Sequence, residues 1–255
     1  MRTLFFRNVF SSSLLFIMLL FYIPQTNFSG IYILYVFVLS ALGYLSMIAF
    51  FKALGMGKLG IISPIANSSV IFTVLLSVIL FKEILSGSQI FSIIFIILGI
   101  ILISINFNDL KNSHIFEISS GVPYALVTCL LWGIMFALIK TPVMIIGPVL
   151  TSFIIEFGIL IFSGIHLKIS KISFAVPDYK TLFYIFIVAF FGAVATVSFN
   201  MGVVVCSVSI VVVLANSNPL IAAIYGRFVY KEKLSPQQWL AFLLILTGII
   251  CMSVF

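Results

Sequence analysis

Charged side chains are scarce in this sequence. Only 7% of its 255 residues are Asp, Glu, Lys or Arg, whereas 63% are hydrophobic. So few charges cannot cover the surface of a water-soluble globule, which excludes a soluble domain. The net charge of +7 comes from lysines and arginines in short segments between apolar stretches. We therefore expect the lipid bilayer as the partner of this chain, and no nucleic acid.

Residues that hold metals, nucleotides or disulfides are also few. The three cysteines are odd in number and lie within apolar stretches, and His114 and His166 have no partners at metal-ligand spacing. The run Gly55–Gly60 matches the dinucleotide-binding pattern, but it joins two predicted membrane spans and follows no strand. No ATP-binding Gly-x-x-x-x-Gly-Lys-Ser/Thr run occurs. We expect no metal, no cofactor and no enzyme activity.

Long uncharged stretches fill the chain instead. An α-helix needs about 20 apolar residues to cross a bilayer, and the stretches predict an all-α polytopic membrane protein with nine transmembrane helices. A turn cluster at Pro24–Gly30 separates the first two helices, and a fold-back near Asn200–Ser207 separates the seventh and eighth. The predicted spans are 8–24, 30–53, 59–81, 88–106, 121–139, 144–166, 181–201, 204–226 and 235–254.

Part of the sequence occurs twice. Residues 43–104 laid over 192–253, a shift of 149 residues, give 16 identities in 62 positions without a gap. The matches include Ala66-Asn67-Ser68, the Lys82-Glu83 pair, and Gly99. Because the copies are five spans apart, equivalent helices enter the membrane in opposite directions. Such inverted duplication is typical of transporters.

The shift also divides the chain into repeats. We expect residues 1–110 to form a first repeat of four helices, 111–120 a linker, and 121–255 a second repeat of five helices. The fifth helix then has no counterpart, so a helix equivalent to it is expected to be missing before Met1. A misplaced start, a truncated gene and a true nine-helix variant all account for this.

The basic residues are distributed unevenly between the two sides of the membrane. Eleven fall on the side of the N-terminus, whereas Lys82 and Lys140 fall on the other. Positive loops face the cytoplasm, so we expect a cytoplasmic N-terminus, an external C-terminus and a location in the cell membrane. The eleven are Arg2, Arg7, Lys52, Lys58, Lys111, Lys168, Lys171, Lys180, Arg227, Lys231 and Lys233.

Several motifs resemble those of the drug/metabolite transporter superfamily, EamA-like family. These are Trp132-Gly133 followed by Lys140, the run Leu214–Leu220 with Lys231-Glu232 beyond it, and Arg7 near the start of the first span. The resemblance implies a ten-helix fold of two inverted repeats around a central cavity, from which this chain lacks the first helix. It also implies that Tyr44 and Trp132 lie beside that cavity.

Glu156 is the only acidic residue predicted to lie deep in a span. A carboxylate there costs about 2.5–3.5 kcal/mol on insertion scales unless it is paired, protonated or hydrated. Subtracting 149 from its number gives Arg7, its equivalent in the first repeat. A structural link to Arg7 is one interpretation. Proton coupling or the binding of a cationic substrate is the other.

Polar and aromatic residues within spans are further candidates for the cavity. Hydrogen-bonding groups occur at equivalent places in the third and eighth spans, where they either line a cavity or join helices. Tyr44 and Trp132 either stack on a planar or cationic solute or pack in the bundle. Pro64 and Pro219 are candidates for kinking the same two spans. The polar residues are Asn67, Ser68, Asn216 and Asn218.

A stripe of small residues predicts close packing of the third and eighth helices. Small side chains recur at every fourth position in both, which lets helix backbones approach. The stripe comprises Ser69, Thr73 and Ser77 in the third span and Asn218, Ala222 and Gly226 in the eighth. Lys82-Glu83 and Lys231-Glu232 end these spans, and they are interpreted as headgroup anchors or, alternatively, as a gate.

These features together predict a secondary active transporter that exports small organic metabolites. Two inverted repeats would expose a midplane cavity to each side in turn, driven by protons or by the gradient of the solute. The substrate is a small molecule, protons are a candidate second partner, and a homodimer is a candidate assembly. A non-transporting accessory or structural subunit and a lipid-carrier flippase are the alternatives.

Overall fold

The computed structural model describes residues 2–22, 27–57, 59–104, 121–217, 220–221, 224 and 235–254. All regular secondary structure in these ranges is α-helical. The helices are α1 (Arg2–Tyr22), α2 (Gly30–Met56), α3 (Leu59–Asn67), α4 (Ser69–Phe81), α5 (Gly87–Ser104), α6 (Val122–Leu138), α7 (Lys140–Ile146), α8 (Pro148–Ile169), α9 (Tyr179–Val205), α10 (Val208–Ala215) and α11 (Pro236–Val254).

Four of these helices, and two runs that each join neighbouring helices, are long and apolar enough to cross a bilayer. Six candidate spans, Arg2–Tyr22, Gly30–Met56, Ile61–Phe81, Val122–Ile146, Pro148–Ile169 and Tyr179–Val205, meet that condition by length and composition, and α5 and α11 hold shorter apolar helices. The chain is therefore a multi-pass α-helical membrane protein. Most of residues 218–234, which include the predicted end of the eighth span, lie outside the described ranges, so the count of nine helices stays a prediction.

Two predicted boundaries were wrong. Helix α1 begins at Arg2 and not at residue 8, so Arg7 lies inside a helix. Helices α6 and α7 form one apolar run that continues past Lys140, where the sequence predicts a loop. The chain turns only at Gly147, whose φ of 89° favours glycine, and Pro148 then opens α8.

Two helices are interrupted at equivalent residues. Helix α3 ends at Asn67 and α4 begins at Ser69, while α10 ends at Ala215. In both places the backbone makes an i→i+3 hydrogen bond of 3.0 Å, from Ile71 N–H to the Ser68 carbonyl and from Leu220 N–H to the Ser217 carbonyl. The donors and the acceptors are each 149 residues apart. The break in the third span thus falls at Ser68. Pro64, the candidate for kinking this span, lies within α3, and Pro219 lies outside the described residues.

Other helix boundaries follow the same shift. Adding 149 to the bounds of α2 gives 179–205, which are the bounds of α9. Adding it to α5 gives 236–253, one residue shorter than α11. Both α5 and α11 begin with the same capping box, in which Ser86 and Gln89, or Ser235 and Gln238, exchange hydrogen bonds between side chain and backbone.

The chain forms two compact units. The first comprises Met1–Ile48 and Leu138–Cys206, and the second comprises Ala49–Ala137 and Ser207–Phe255. In the first unit α1 packs on α8 and α9. The rings of Phe16 and Phe153 lie 5.7 Å apart, and Phe5 lies against Gly164. Because the residue numbers rise in one helix as they fall in the other, α1 and α8 are antiparallel.

In the second unit α5 packs closely on α11 through two glycines. A Cβ atom on Gly99 would lie 2.9 Å from the Ala241 carbonyl oxygen, and one on Gly248 would lie 2.9 Å from the Ser92 carbonyl oxygen. Position 241 lies 149 residues after position 92, and position 248 lies 149 residues after position 99. The contacts are therefore reciprocal, and the pairing of residue 99 with 241 and 92 with 248 makes the two helices antiparallel.

Candidate functional site

A largely buried ion pair lies in the first unit. Arg7 on α1 donates from Nη1 to Oε2 and from Nη2 to Oε1 of Glu156 on α8, both at 3.3 Å. The Glu156 side chain is 5% exposed and that of Arg7 is 18% exposed. The guanidinium also lies close to α9, since a Cβ atom on Gly192 would be 2.8 Å from Nη2. Glycine at position 192 leaves room for the arginine.

Polar side chains on three helices surround this pair. Arg7 Nη1 also donates to Asn8 Oδ1 at 2.8 Å, and the Thr196 hydroxyl donates to Glu156 Oε1 at 3.4 Å. One turn further along the same two helices, Asn200 Nδ2 donates to the Ser152 hydroxyl at 2.8 Å. Helices α8 and α9 thus meet through two polar contacts at i, i+4 spacing.

Several buried polar atoms near these contacts have no hydrogen-bond partner among the described residues. They are Asn8 Nδ2, Ser12 Oγ and Asn200 Oδ1. Burying such a group without a partner costs about 1–3 kcal/mol, so polar atoms of this kind favour the entry of water or a solute. Asn8 adjoins Arg7, and Asn200 lies one turn from Thr196. The first unit therefore holds unused donor and acceptor capacity beside a neutralised pair of charges.

The predicted polar residues of the third and eighth spans lie at the two helix breaks of the second unit. Asn67 Nδ2 donates to the Ser63 hydroxyl at 3.4 Å, and Asn216 Nδ2 donates to the Val212 carbonyl oxygen at 2.9 Å. Both amides are half-buried and bond within their own helix, as does Ser217, whose hydroxyl donates to Val213. Ser68 occupies the first break itself. Asn218 lies outside the described residues.

The two aromatic candidates lie in different units. Tyr44 is buried, with its ring stacked on Phe162 at 6.1 Å and edge-on to His166 at 6.1 Å. Its hydroxyl group has no hydrogen-bond partner in the described part of the chain. Trp132 is half-buried against Phe50 at 5.3 Å. Tyr44 shares the first unit with Glu156, whereas Trp132 shares the second with Asn67 and Asn216.

The first half of the small-residue stripe is fully buried. Ser69, Thr73 and Ser77 each have no exposed surface. The Thr73 hydroxyl donates to the Gly133 carbonyl oxygen at 3.3 Å, so the stripe meets α6 at this point. Helix α4 also packs on α10, the described part of the eighth span. The other half of the stripe, at Ala222 and Gly226, lies outside the described ranges.

Glu83 makes a contact that the sequence did not reveal. Its Oε1 accepts the Val208 N–H at 3.0 Å, and its Oε2 accepts the N–H of Ser209 at 3.2 Å and its hydroxyl at 2.6 Å. Glu83 is therefore more than a headgroup anchor at the end of α4. Lys231 and Glu232, the matching residues of the second copy, lie outside the described residues.

The described part of the second unit also has an apolar groove of about 510 Å³ beside Glu83. None of the predicted cavity residues lines it. Aliphatic side chains of α4, α5 and the turn between them form most of its walls. Its lining residues are Ile71, Val74, Leu75, Val78, Glu83, Ile84, Leu85, Ile90, Ile93, Ile94 and Ile97.

Some of these site features could have been found in the sequence. Ser152 with Glu156 and Thr196 with Asn200 place polar residues four apart in otherwise apolar helices, which predicts one polar face on each. The Ser-x-x-Gln pattern at Ser86 and again at Ser235 is a capping signature. The docking of Glu83 on α10 joins residues 125 apart, and no local pattern predicts it.

The fold defines a polytopic helical membrane protein with a cluster of polar side chains among the helices of its first unit. The sequence profile of the EamA-like transporter family matches residues 1–105 and 119–254. The chain belongs to the EamA-like transporter family, as the motifs around Trp132 and Lys231 indicated. Membership makes it a membrane transporter of the drug/metabolite type.

One solved structure has a similar fold. It is titled only "Crystal structure of protein", and it is 14% identical to this chain, with a TM-score of 0.77 over 99% of this chain and 87% of its own. At that identity the likeness concerns the fold alone. No curated protein matches the chain.

Proposed function

We propose that this protein is a secondary active transporter that exports small organic metabolites across the cell membrane. Two inverted repeats, residues 1–110 and 121–255, would expose a cavity at the membrane midplane to each side in turn. The N-terminus would face the cytoplasm, as the distribution of lysines and arginines favours. The substrate would be a small organic molecule, exchanged against protons or driven by its own gradient.

One observation carries this proposal. Gly99 and Gly248 make the same contacts with each other's helices, at positions related by the 149-residue shift. Reciprocal contacts between equivalent residues are what a two-fold axis produces. Because the two helices are antiparallel, a two-fold axis relating them would lie in the membrane plane, as in transporters that work by alternating access.

The two helix breaks support the proposal. Transporters of inverted-repeat architecture often bind substrate where helices are discontinuous, because unwound backbone and polar side chains are then available to a solute. The breaks at Ser68 and Ser217 are equivalent and carry Asn67 and Asn216 beside them. We propose that these residues line the cavity, together with Ser68, Tyr44, Trp132 and Asn218.

Glu156 is the proposed coupling residue. Its carboxylate is neutralised by Arg7, which removes much of the cost of placing a charge in the membrane. Loading of a proton or a cationic group at Glu156 would release Arg7, whose Nη1 already donates to Asn8 at 2.8 Å. Arg7 would therefore keep a hydrogen bond to Asn8 when Glu156 binds the proton or the cation.

Reconstitution tests this function. Purified protein in proteoliposomes is given a panel of radiolabelled neutral, zwitterionic and cationic metabolites, with and without a proton gradient. We expect saturable flux of at least one class, compared with liposomes that contain the Glu156→Gln variant and with empty liposomes. Flux no faster than in empty liposomes for every member would favour the accessory-subunit alternative. Movement of a fluorescent lipid instead would favour the flippase.

A further inference from the structure

Glu83 acts as the N-terminal cap of a helix that is distant in sequence. The first N–H groups of any helix have no acceptor within it. At the start of α10 the Ser207 side chain makes no capping hydrogen bond. The Glu83 carboxylate accepts the N–H groups of both Val208 and Ser209 instead. A negative charge is also favoured at a helix N-terminus, where the peptide dipoles converge.

The turn after α4 brings this carboxylate into place. Lys82 ends α4 with a φ of 50° and a ψ of 42°, a left-handed conformation that side chains with a Cβ atom rarely adopt. The next residue then faces α10, and the Ser209 hydroxyl donates to it at 2.6 Å. Helices α4 and α10 also pack on each other. Glu83 therefore fastens the end of one helix to the start of the other.

Both fastened helices are bounded by interruptions. Helix α4 lies between the break at Ser68 and the turn at Lys82, while α10 lies between the turn at Ser207 and the break at Ser217. A helix segment with a break at one end can tilt relative to the rest of its span. Three hydrogen bonds to one carboxylate join the end of the first segment to the start of the second.

We propose that Glu83 is a positioning residue for transport, which couples α4 to α10 so that the two segments move as one body about the breaks at Ser68 and Ser217. The inference rests on the proposed transport function. It assigns Glu83 a role that an anchor at the lipid headgroups does not have. Helix coupling of this kind can be measured whether or not a transported solute is known.

Distances between spin labels test the coupling. Labels are placed at Leu75 on α4 and Leu214 on α10, which are 54% and 41% exposed, in full-length protein without its three native cysteines. We expect one narrow distance distribution in the otherwise unaltered chain. Glu83→Gln should add a second population and lower the ratio of docked to undocked protein about tenfold, since it replaces charge-assisted hydrogen bonds with weaker ones.

Asp178→Asn is the matched control. Asp178 also caps a helix with its carboxylate, but it accepts hydrogen bonds from Thr181 of its own helix, α9. This variant should keep the single distance, and Ser209→Ala should shift the population in the same direction as Glu83→Gln. An unaltered distance distribution in Glu83→Gln would overturn the proposal. So would equal broadening in Asp178→Asn.

Transport measured in proteoliposomes separates the positioning role of Glu83 from the proposed transport function. For any solute of the panel that the unaltered protein carries, Glu83→Gln should lower the maximal rate about tenfold and leave KM within about twofold. Normal rates in a variant whose helices have uncoupled would refute a positioning role. If the unaltered protein carries nothing, the transport function fails, and the spin-label distances still decide whether Glu83 couples the helices.

Discussion

Arg7 and Glu156 form a two-point ion pair at 3.3 Å, and they are 149 residues apart. The same shift relates the two sequence copies, so each residue is the equivalent of the other. The shift therefore pairs two residues of opposite charge, and the ion pair neutralises them both.

Neutralising one member of this pair should destabilise the protein. Glu156→Gln leaves the partly buried Arg7 guanidinium without a counter-charge, which costs up to about 3–5 kcal/mol, the range for a fully buried pair. The double variant Arg7→Gln, Glu156→Gln carries no such charge and should recover most of that loss. Thermal unfolding in detergent measures both. A double variant no more stable than Glu156→Gln would show that the pair does not act through charge balance.

Transport separates the structural role of Glu156 from a coupling role. If Glu156 carries the proton or the cation, the double variant stays inactive in proton-driven flux although its stability is restored. Recovered flux in the double variant would make the pair a structural contact only. The Asp178→Asn variant serves as the control, because it removes a carboxylate outside the membrane spans.

The two glycines between α5 and α11 should respond equally to substitution. A Cβ atom at Gly99 or Gly248 meets a carbonyl oxygen at 2.9 Å, so alanine at either position must separate the helices. We expect each substitution to cost about 1–3 kcal/mol in unfolding free energy. Gly55→Ala is the control, since nothing lies within 4 Å of its Cβ position and alanine favours helix. Clearly unequal effects at 99 and 248 would argue against reciprocal packing.

The asparagines at the helix breaks should affect transport more than folding. Their amide Nδ2 atoms bond within their own helices, so alanine at Asn67 or Asn216 removes only a local contact, worth about 0.6 kcal/mol. We expect a KM raised at least about threefold for each if they bind solute. Ser13→Ala, which removes a similar i−4 bond on an exposed side chain, should leave KM unchanged. Unaltered KM in both asparagine variants would remove them from the cavity.

The cap that Asp178 forms at the start of α9 lies outside the membrane spans and can be tested through the pKa of Asp178. Hydrogen bonds from the Thr181 side chain and backbone lower the pKa of Asp178 below its ordinary value of 3.8. A lowered pKa stabilises the fold at every pH above the ordinary value, and this contribution is lost as the pH falls through the lowered pKa. Thr181→Ala should raise the pKa, as read from the carboxyl carbon resonance of labelled Asp. An unchanged pKa in Thr181→Ala would show that the Thr181 hydroxyl does not lower the pKa of Asp178.

The sequence predicted the features that depend on local apolar length and on duplication. The apolar stretches predicted where most described helices lie, and the 149-residue shift predicted that α2 matches α9. The sequence misplaced the loop at Lys140 because a lysine in an apolar run was interpreted as a loop marker. The long aliphatic stem of lysine lets its ammonium reach a polar region from within a helix. The position of the turn was instead specified by Gly147-Pro148.

Contacts between distant residues were predicted only where symmetry supplied the partner. Arg7 was named as a partner for Glu156 because the shift relates them. Nothing comparable links Glu83 to Ser209, since neither is the equivalent of the other. The sequence does not predict the break at Ser68 either, because its repeated Asn-Ser pair suggests only cavity lining or helix contact.

The sidedness of two equivalent serines tests the inverted duplication most directly. Ser86 and Ser235 are exposed and open α5 and α11. Each is changed to cysteine in a chain without other cysteines, and a membrane-impermeant maleimide is added to intact cells. The account predicts that Ser86→Cys is labelled from outside and Ser235→Cys only after the membrane is opened. Labelling of both from the same side would contradict it.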